Sequence, residues 1–319
     1  MRHPNIFCFA VVALSLALSL SAVGQTVVAT IPVGANPDWV AVDRRTNLIY
    51  VVNVGSNTVS VIDGSTNTVV ATDTVANFPQ ADTYDSALDQ IYVGVFGSSD
   101  QVSIIAGKSN RVRSVPISGS GVVTGIAADS ANSSVYMCNP PNDVVVLDEK
   151  TDRVSAIVNV PNCGFGLAVD AKANLIYVAT FTPNITVIDG RNNQIVDNFS
   201  IDLTGVVSVA TDPAGSNHLG IVDTNAGKFE VLDASTGALL GTVSGLQNPF
   251  GVVFEPGAKY ALVTEENAND MALIFTTNYT VVSRTPVGTF PLGVDYNPAR
   301  KLAYVANYES NTVTAISIP

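Results

Sequence analysis

The hydrophobic pattern of this chain consists of short apolar runs separated by clusters of Gly, Asn, Asp, Ser and Thr. From residue 39 it reads WVAVD, a polar turn RRTN, LIYVV to residue 52, a second turn NVGSN, TVSVID over 58–63, then GSTN and TVVATDTV over 68–75. Runs of this size, rich in β-branched residues and bounded by turn formers, predict four strands joined by tight connections, named a to d here. The b runs LIYV, QIYVGV, SVYM and LIYVAT are apolar without alternation. That pattern belongs to a strand covered on both faces.

The four-strand unit recurs. A Tyr-Val core stands at Tyr50, Tyr92, Tyr136, Tyr177 and Tyr304, with Leu219 and Leu262 read at the equivalent points, so copies follow every 41 to 44 residues. A period of this length with four strands is the size of a propeller blade. Seven copies therefore predict an all-β fold, a seven-bladed β-propeller of four-stranded antiparallel blades. Pro32, Pro116 and Pro286 share one register in d. Proline cannot donate to a ladder, so d is expected at the outer edge of each blade.

The seventh copy supplies a (PLGVDYN), b (KLAYVAN) and c (TVTAISI), and then the sequence stops. Its missing d is expected from the other end, because TVVATIPVG at 26–34 matches TVVATDTVA at 68–76. The N-terminal strand should thus close the last blade. Burial of three among Val27, Val28, Ile31 and Val33 would contribute ~5–9 kcal/mol at ~1.5–3 kcal/mol each.

Residues 1–24 read separately. A basic start, the apolar run IFCFAVVALSLALSL and the small-residue boundary Ala22-Val23-Gly24 predict a secretory signal peptide, with the propeller occupying 25–319. The expected location is extracytoplasmic, periplasmic or secreted. No other segment has the length to span a bilayer, so no membrane insertion is expected after cleavage. With 27 acidic residues against 15 basic ones, the net charge is −12. Such a surface repels phosphate backbones and argues against nucleic acid as a partner. Beyond the leader the cysteines are Cys138 and Cys163, which could form a disulfide if their Cα atoms come within about 7 Å, or remain inert thiols.

YVVNVGSNTVSVIDGSTNTVVAT, with the connectors VGANPDWVAVD and VGTFPLGVDYN, resembles the repeat of the YVTN-repeat β-propeller family of secreted and periplasmic bacterial proteins and archaeal surface-layer proteins. The resemblance covers essentially all of residues 25–319. Val95 and Glu265 depart from it where Asn53 and Asn307 keep the motif asparagine. It implies seven blades and an extracytoplasmic place, and it implies no single activity.

Candidate chemistry is sparse. Asp43, Asp85, Asp129, Asp170, Asp212 and Glu255 fall at a-to-b turns, and Asp63, Asp148, Asp189 and Asp233 begin c-to-d turns, where a carboxylate can cap turn N–H groups. His218 has no companion at metal-ligand spacing, and neither a G-x-S-x-G elbow nor a dinucleotide fingerprint is present; GSGVVTG at 119–125 reads as a connector. The oxygen-rich stretch Glu265–Asp270 lacks the order of a calcium loop and reads as a solvated acidic loop. No catalytic residue, metal or cofactor is therefore assigned.

Aromatic residues carry the remaining signal. The d-to-a connectors hold Trp39, Phe78, Phe165, Phe250 and Phe290, and the b-to-c loops hold Phe96, Phe181 and Tyr308. Both loop sets should emerge on one face, opposite the acidic turns. They either line an apolar mouth for a ligand or pack down as wedges between blades. The chain is accordingly read as an exported, non-catalytic binding or interaction module for a protein, peptide or saccharide. The alternatives are a propeller enzyme of lactonase or cofactor-dependent type, and a cell-envelope or surface-layer component.

Overall fold

The computed structural model describes residues 24–97, 101–117, 122–203 and 205–319. The leader therefore lies outside the described residues apart from its last position, Gly24, as does most of the glycine-rich part of 119–125. Seven antiparallel four-stranded sheets form a propeller ring, so the fold class read from the period holds. In blade I, strand a is Pro37–Asp43, b is Leu48–Asn53, c is Thr58–Asp63 and d is Thr68–Thr74. Blades II to VI follow over 79–116, 125–159, 163–200, 206–244 and 249–286, and blade VII begins at 291. The a strands line a central channel. The b and c strands carry the core, and the d strands face outward.

Blade VII closes as the sequence predicts. The strand Thr26–Pro32 pairs antiparallel with Thr312–Ser317, from Thr26 opposite Ser317 to Pro32 opposite Thr312. Pro32, Pro116 and Pro286 all end exposed d strands, opposite the first residue of c. The expected burial is only partly realised. Ile31 is buried and Val33 half-buried, whereas Val27 and Val28 are 46% and 51% exposed. The ladder shifts register between Val27 and Ala29, and this bulge turns both valines outward. The same bulge exposes Val70, Val196, Leu240 and Val282 on other d strands. It also twists each outer edge away from strand addition.

Blades are joined through the recurring tyrosines. Tyr50, Tyr136, Tyr177 and Tyr304 are buried, and their hydroxyls donate to the c-to-d turn of the next blade: Gly107 O (3.3 Å), Asn193 Oδ1 (2.7 Å), Ala234 O (2.8 Å) and Asn67 Oδ1 (3.1 Å). The last of these fastens blade VII to blade I. In blade V the register corrects the sequence reading, because Gly220, and not Leu219, stands opposite Ala210 where five other blades place tyrosine and blade VI places Leu262. The Phe254 and Phe229 rings fill that space, lying 2.9 and 3.0 Å from where a Cβ on Gly220 would sit.

The turn carboxylates behave as expected with one exception. Asp43, Asp63, Asp85, Asp129, Asp148, Asp170, Asp189, Asp212 and Asp233 each accept at least one backbone N–H from their own turn, whereas Glu255 Oε2 has no hydrogen-bond partner among the described residues. The stretch from Glu265 is solvated only in part, with Asn267, Ala268 and Asn269 exposed and its first two acids buried. Glu265 is fully buried, accepts from Gln247 N (2.7 Å) and Arg284 Nε (2.7 Å), and fixes the connector entering its own blade. Asn307 does the same for Gly288 N (3.0 Å). Glu266 is also buried, beside Asn248. Cys138 in strand b of blade III and Cys163 at the start of blade IV are linked as a disulfide, with Cα atoms 5.7 Å apart.

Candidate ligand-binding channel

Stacking the seven a strands on their turn residue (Asp43, Asp85, Asp129, Asp170, Asp212, Glu255, Asn297) resolves the channel into layers, one residue per blade. Five positions before the turn residue lie Asp38, Gln80, Thr124, Phe165, Val207, Phe250 and Leu292. The next layer holds Trp39 with Ala81, Gly125, Gly166, Ser208, Gly251 and Gly293. A layer deeper are Val40, Asp82, Ile126, Leu167, Val209, Val252 and Val294. The second and third layers each follow a rule that one residue breaks.

The second layer is made of small residues because the backbones crowd there. A Cβ on Gly125 would lie 2.2 Å from Phe165 O, and one on Gly251 would lie 2.5 Å from Leu292 O. Into the space that these residues leave projects one large ring, Trp39. It meets Phe250 edge to face at a centroid distance of 6.1 Å, although blades I and VI are separated by blade VII. Trp39, Ile126, Leu167 and Val209 line both a small upper chamber of about 60 Å³ and a lower chamber of about 660 Å³. The tryptophan thus stands at the boundary between them.

The eight aromatics named from the sequence do not form one ring. Trp39, Phe165 and Phe250 line the upper chamber. Phe165 also packs edge to face against Phe181 at 5.5 Å, and these two border an apolar groove with Phe96, Pro140 and Pro141. Phe290 pairs with Tyr308 at 6.0 Å on blade VII, while Phe78 is 59% exposed on its connector. Phe78 and Phe290 occupy left-handed positions, φ 55° and 57°, which Asn36 and Asn248 hold in blades I and VI. Bulky residues adopt that conformation at a cost. None of the eight is fully buried.

Three carboxylates in the channel wall were not singled out by sequence reasoning. Asp38, at the upper chamber, is 6% exposed, and its carboxyl is raised to about 7 by burial and then by the charge of Glu266. Asp82, at the waist, is 3% exposed, and neither of its oxygens has a hydrogen-bond partner among the described residues. Burial, followed by the charges of Asp295 and Asp38, pushes its carboxyl well above the usual range. Asp295 accepts from Val42 N (2.8 Å) and Arg44 Nη2 (3.4 Å) at the lower chamber. Arg45 pairs there with Asp89 at 2.7 Å. The signal for Asp82 was present in the sequence as one acid in a column of Val, Ile and Leu. It becomes readable once the copies are stacked on the correct turn residue.

Among the described residues no three His, Cys, Asp or Glu side chains converge to hold a metal ion. His218 Nδ1 instead lies 2.8 Å from Ser216 Oγ.

Comparison with known proteins places this geometry in context. No family model matches the chain. It is similar to the uncharacterized protein YncE of Salmonella typhimurium, 25% identical over 194 residues, which cover 59% of this chain and 54% of that protein. The Escherichia coli O157:H7 YncE is 26% identical over the same shares. The chain thus spans about half the length of the curated relatives it matches. Among solved structures, a chain of Kuenenia stuttgartiensis hydrazine synthase superposes with a TM-score of 0.77 at 16% identity, covering 88% of this chain and 95% of that one. At that identity the likeness is one of fold.

Proposed function

We propose that this protein is an exported propeller of YVTN type that acts as a non-catalytic binding module, with its ligand entering at the aromatic mouth of the channel. The observation that carries the reading is the meeting of Trp39 and Phe250 from non-adjacent blades at a half-buried mouth. Aromatic faces beside a few polar groups, here Asp38, Gln80, Thr124 and Ser208, are the composition of small-ligand and partner sites. A rigid ring holding variable loops suits such a role. Export is supported by the apolar leader sequence and by the Cys138–Cys163 linkage, which an oxidising compartment would maintain.

Native mass spectrometry of the protein purified from its own envelope tests the reading, which expects a retained protein, peptide, saccharide or other small molecule. Trp39→Ala and Phe250→Ala should release it with the melting temperature nearly unchanged. Lost stability with binding intact would assign the rings to packing and overturn the proposal. An enzymatic reading would require several carboxylates or amides converging on a bound ion at the channel mouth. Self-association in solution would point instead to an envelope component.

A further inference from the structure

The channel waist contains one feature that the fold does not need. Six blades place an aliphatic side chain in that layer, and blade II places Asp82. An aliphatic residue there would pack as it does in the other six blades. A buried carboxylate without partners instead costs several kcal/mol when ionised. Both Asp82 oxygens lack a hydrogen-bond partner among the described residues, and the residue lines the 660 Å³ chamber. The arginines of that chamber are committed elsewhere, Arg44 to Asp295 at 3.4 Å and Arg45 to Asp89 at 2.7 Å. Among the described residues no counter-charge is therefore paired with Asp82.

We propose that the waist binds a small monovalent organic cation, an alkylammonium group, with the Asp82 carboxylate as its counter-ion and the Trp39 ring as its roof. The proposal deepens the reading of the mouth as a ligand entrance and rests on it. A hard divalent ion asks for six or more converging oxygens, and among the described residues no three His, Cys, Asp or Glu side chains converge to hold one. An alkylammonium asks for one opposite charge, an apolar wall along its carbon chain and an aromatic face for the cation. The waist supplies these through Asp82, the aliphatic layer and Trp39; the ring is shared between the chambers together with Ile126, Leu167 and Val209 of that layer. Asp38 above and Asp295 below add negative potential along the path, as their influence on Asp82 shows.

The chain contains a single tryptophan, Trp39, so its fluorescence reports directly on the roof of the site. The test titrates the full chain at pH 8 with n-butylammonium, with n-butanol as its neutral isostere, and with calcium. The expected result is a saturable fluorescence change with n-butylammonium. The response should be at least tenfold weaker with n-butanol and in Asp82→Asn, and that variant should melt at or above the parent temperature. Equal response to the alcohol, unchanged binding in Asp82→Asn, or no response to the ammonium would overturn the proposal. A calcium response lost in Asp82→Asn would overturn it in favour of a metal site. Phe250→Ala separates the two levels of the argument. If a ligand retained from the envelope is lost in Phe250→Ala while n-butylammonium has no effect, the cation falls and the mouth stands. If neither variant loses any ligand, both fall.

Discussion

Replacing Ile31 by Ala, with Val28→Ala as its control on the same strand, tests how the ring is closed. Ile31 is 3% exposed among Val40, Val42, Ile49, Tyr304 and Val313, so it joins the N-terminal strand to blades I and VII together. Truncating a buried Ile to Ala costs about 2–5 kcal/mol, the sum of lost transfer energy and the cavity left behind. Val28 is half exposed at the bulge, and surface changes of that kind stay within about 0.5 kcal/mol. With an unfolding entropy near 2 cal/mol/K per residue, each kcal/mol moves the midpoint of a chain this long by roughly 1.5–2 °C. Ile31→Ala should therefore melt roughly 3–10 °C lower by differential scanning calorimetry, and Val28→Ala within about 1 °C of the parent. Closure by a strand covered on both of its faces would instead give two comparable losses. Such a result, or an unchanged midpoint after removal of residues 1–33, would refute the account.

Other consequences follow from single residues. Because burial raises Asp38 to about 7 in the fold against about 4 unfolded, its contribution to stability is complete below pH 4 and is lost as pH rises through 7. Asp38→Asn should thus stabilise the protein by up to about 3–4 kcal/mol at pH 8 and by little at pH 4, measured as denaturation midpoints at both values; equal effects would contradict the buried carboxyl. Tyr177→Phe removes the 2.8 Å bond to Ala234 O and leaves that carbonyl without the hydroxyl, a loss of about 1–2 kcal/mol in urea unfolding. Gly125→Ala would bring a methyl group to 2.2 Å from Phe165 O, and should both destabilise the chain and shift the Trp39 emission as the layer spreads. Unchanged stability and emission would mean that the layer is not tightly stacked.

How much was legible in the sequence differs between fold and site. The blade count, the strand order and the closing partner of the last blade could be read directly, because turn formers and β-branched runs act over a few residues and then repeat. Burial within the d strands could not. Val27 and Val28 look like core residues in TVVATIP, yet a bulge abolishes the two-residue alternation on which that reading depends. Spacing also misplaced the blade V core by one residue, since Gly220 hands the space of a tyrosine ring to Phe254 and Phe229. The acids of Glu265–Asp270 looked solvated because the partner of Glu265, Arg284, stands on another strand.

The aromatic residues were found by type and only partly by role. Sequence placed eight of them on one face, while the fold sends Trp39, Phe165 and Phe250 to the channel and pairs Phe290 with Tyr308 away from it. The sequence by itself determined a closed seven-fold ring, because each blade is specified by local patterns that need no knowledge of its neighbours. The tertiary structure decided what the ring encloses. Every layer of the channel draws one residue from each blade, so the meeting of Trp39 with Phe250, and the isolation of Asp82 among aliphatics, arise only when segments some forty residues apart close around a common axis.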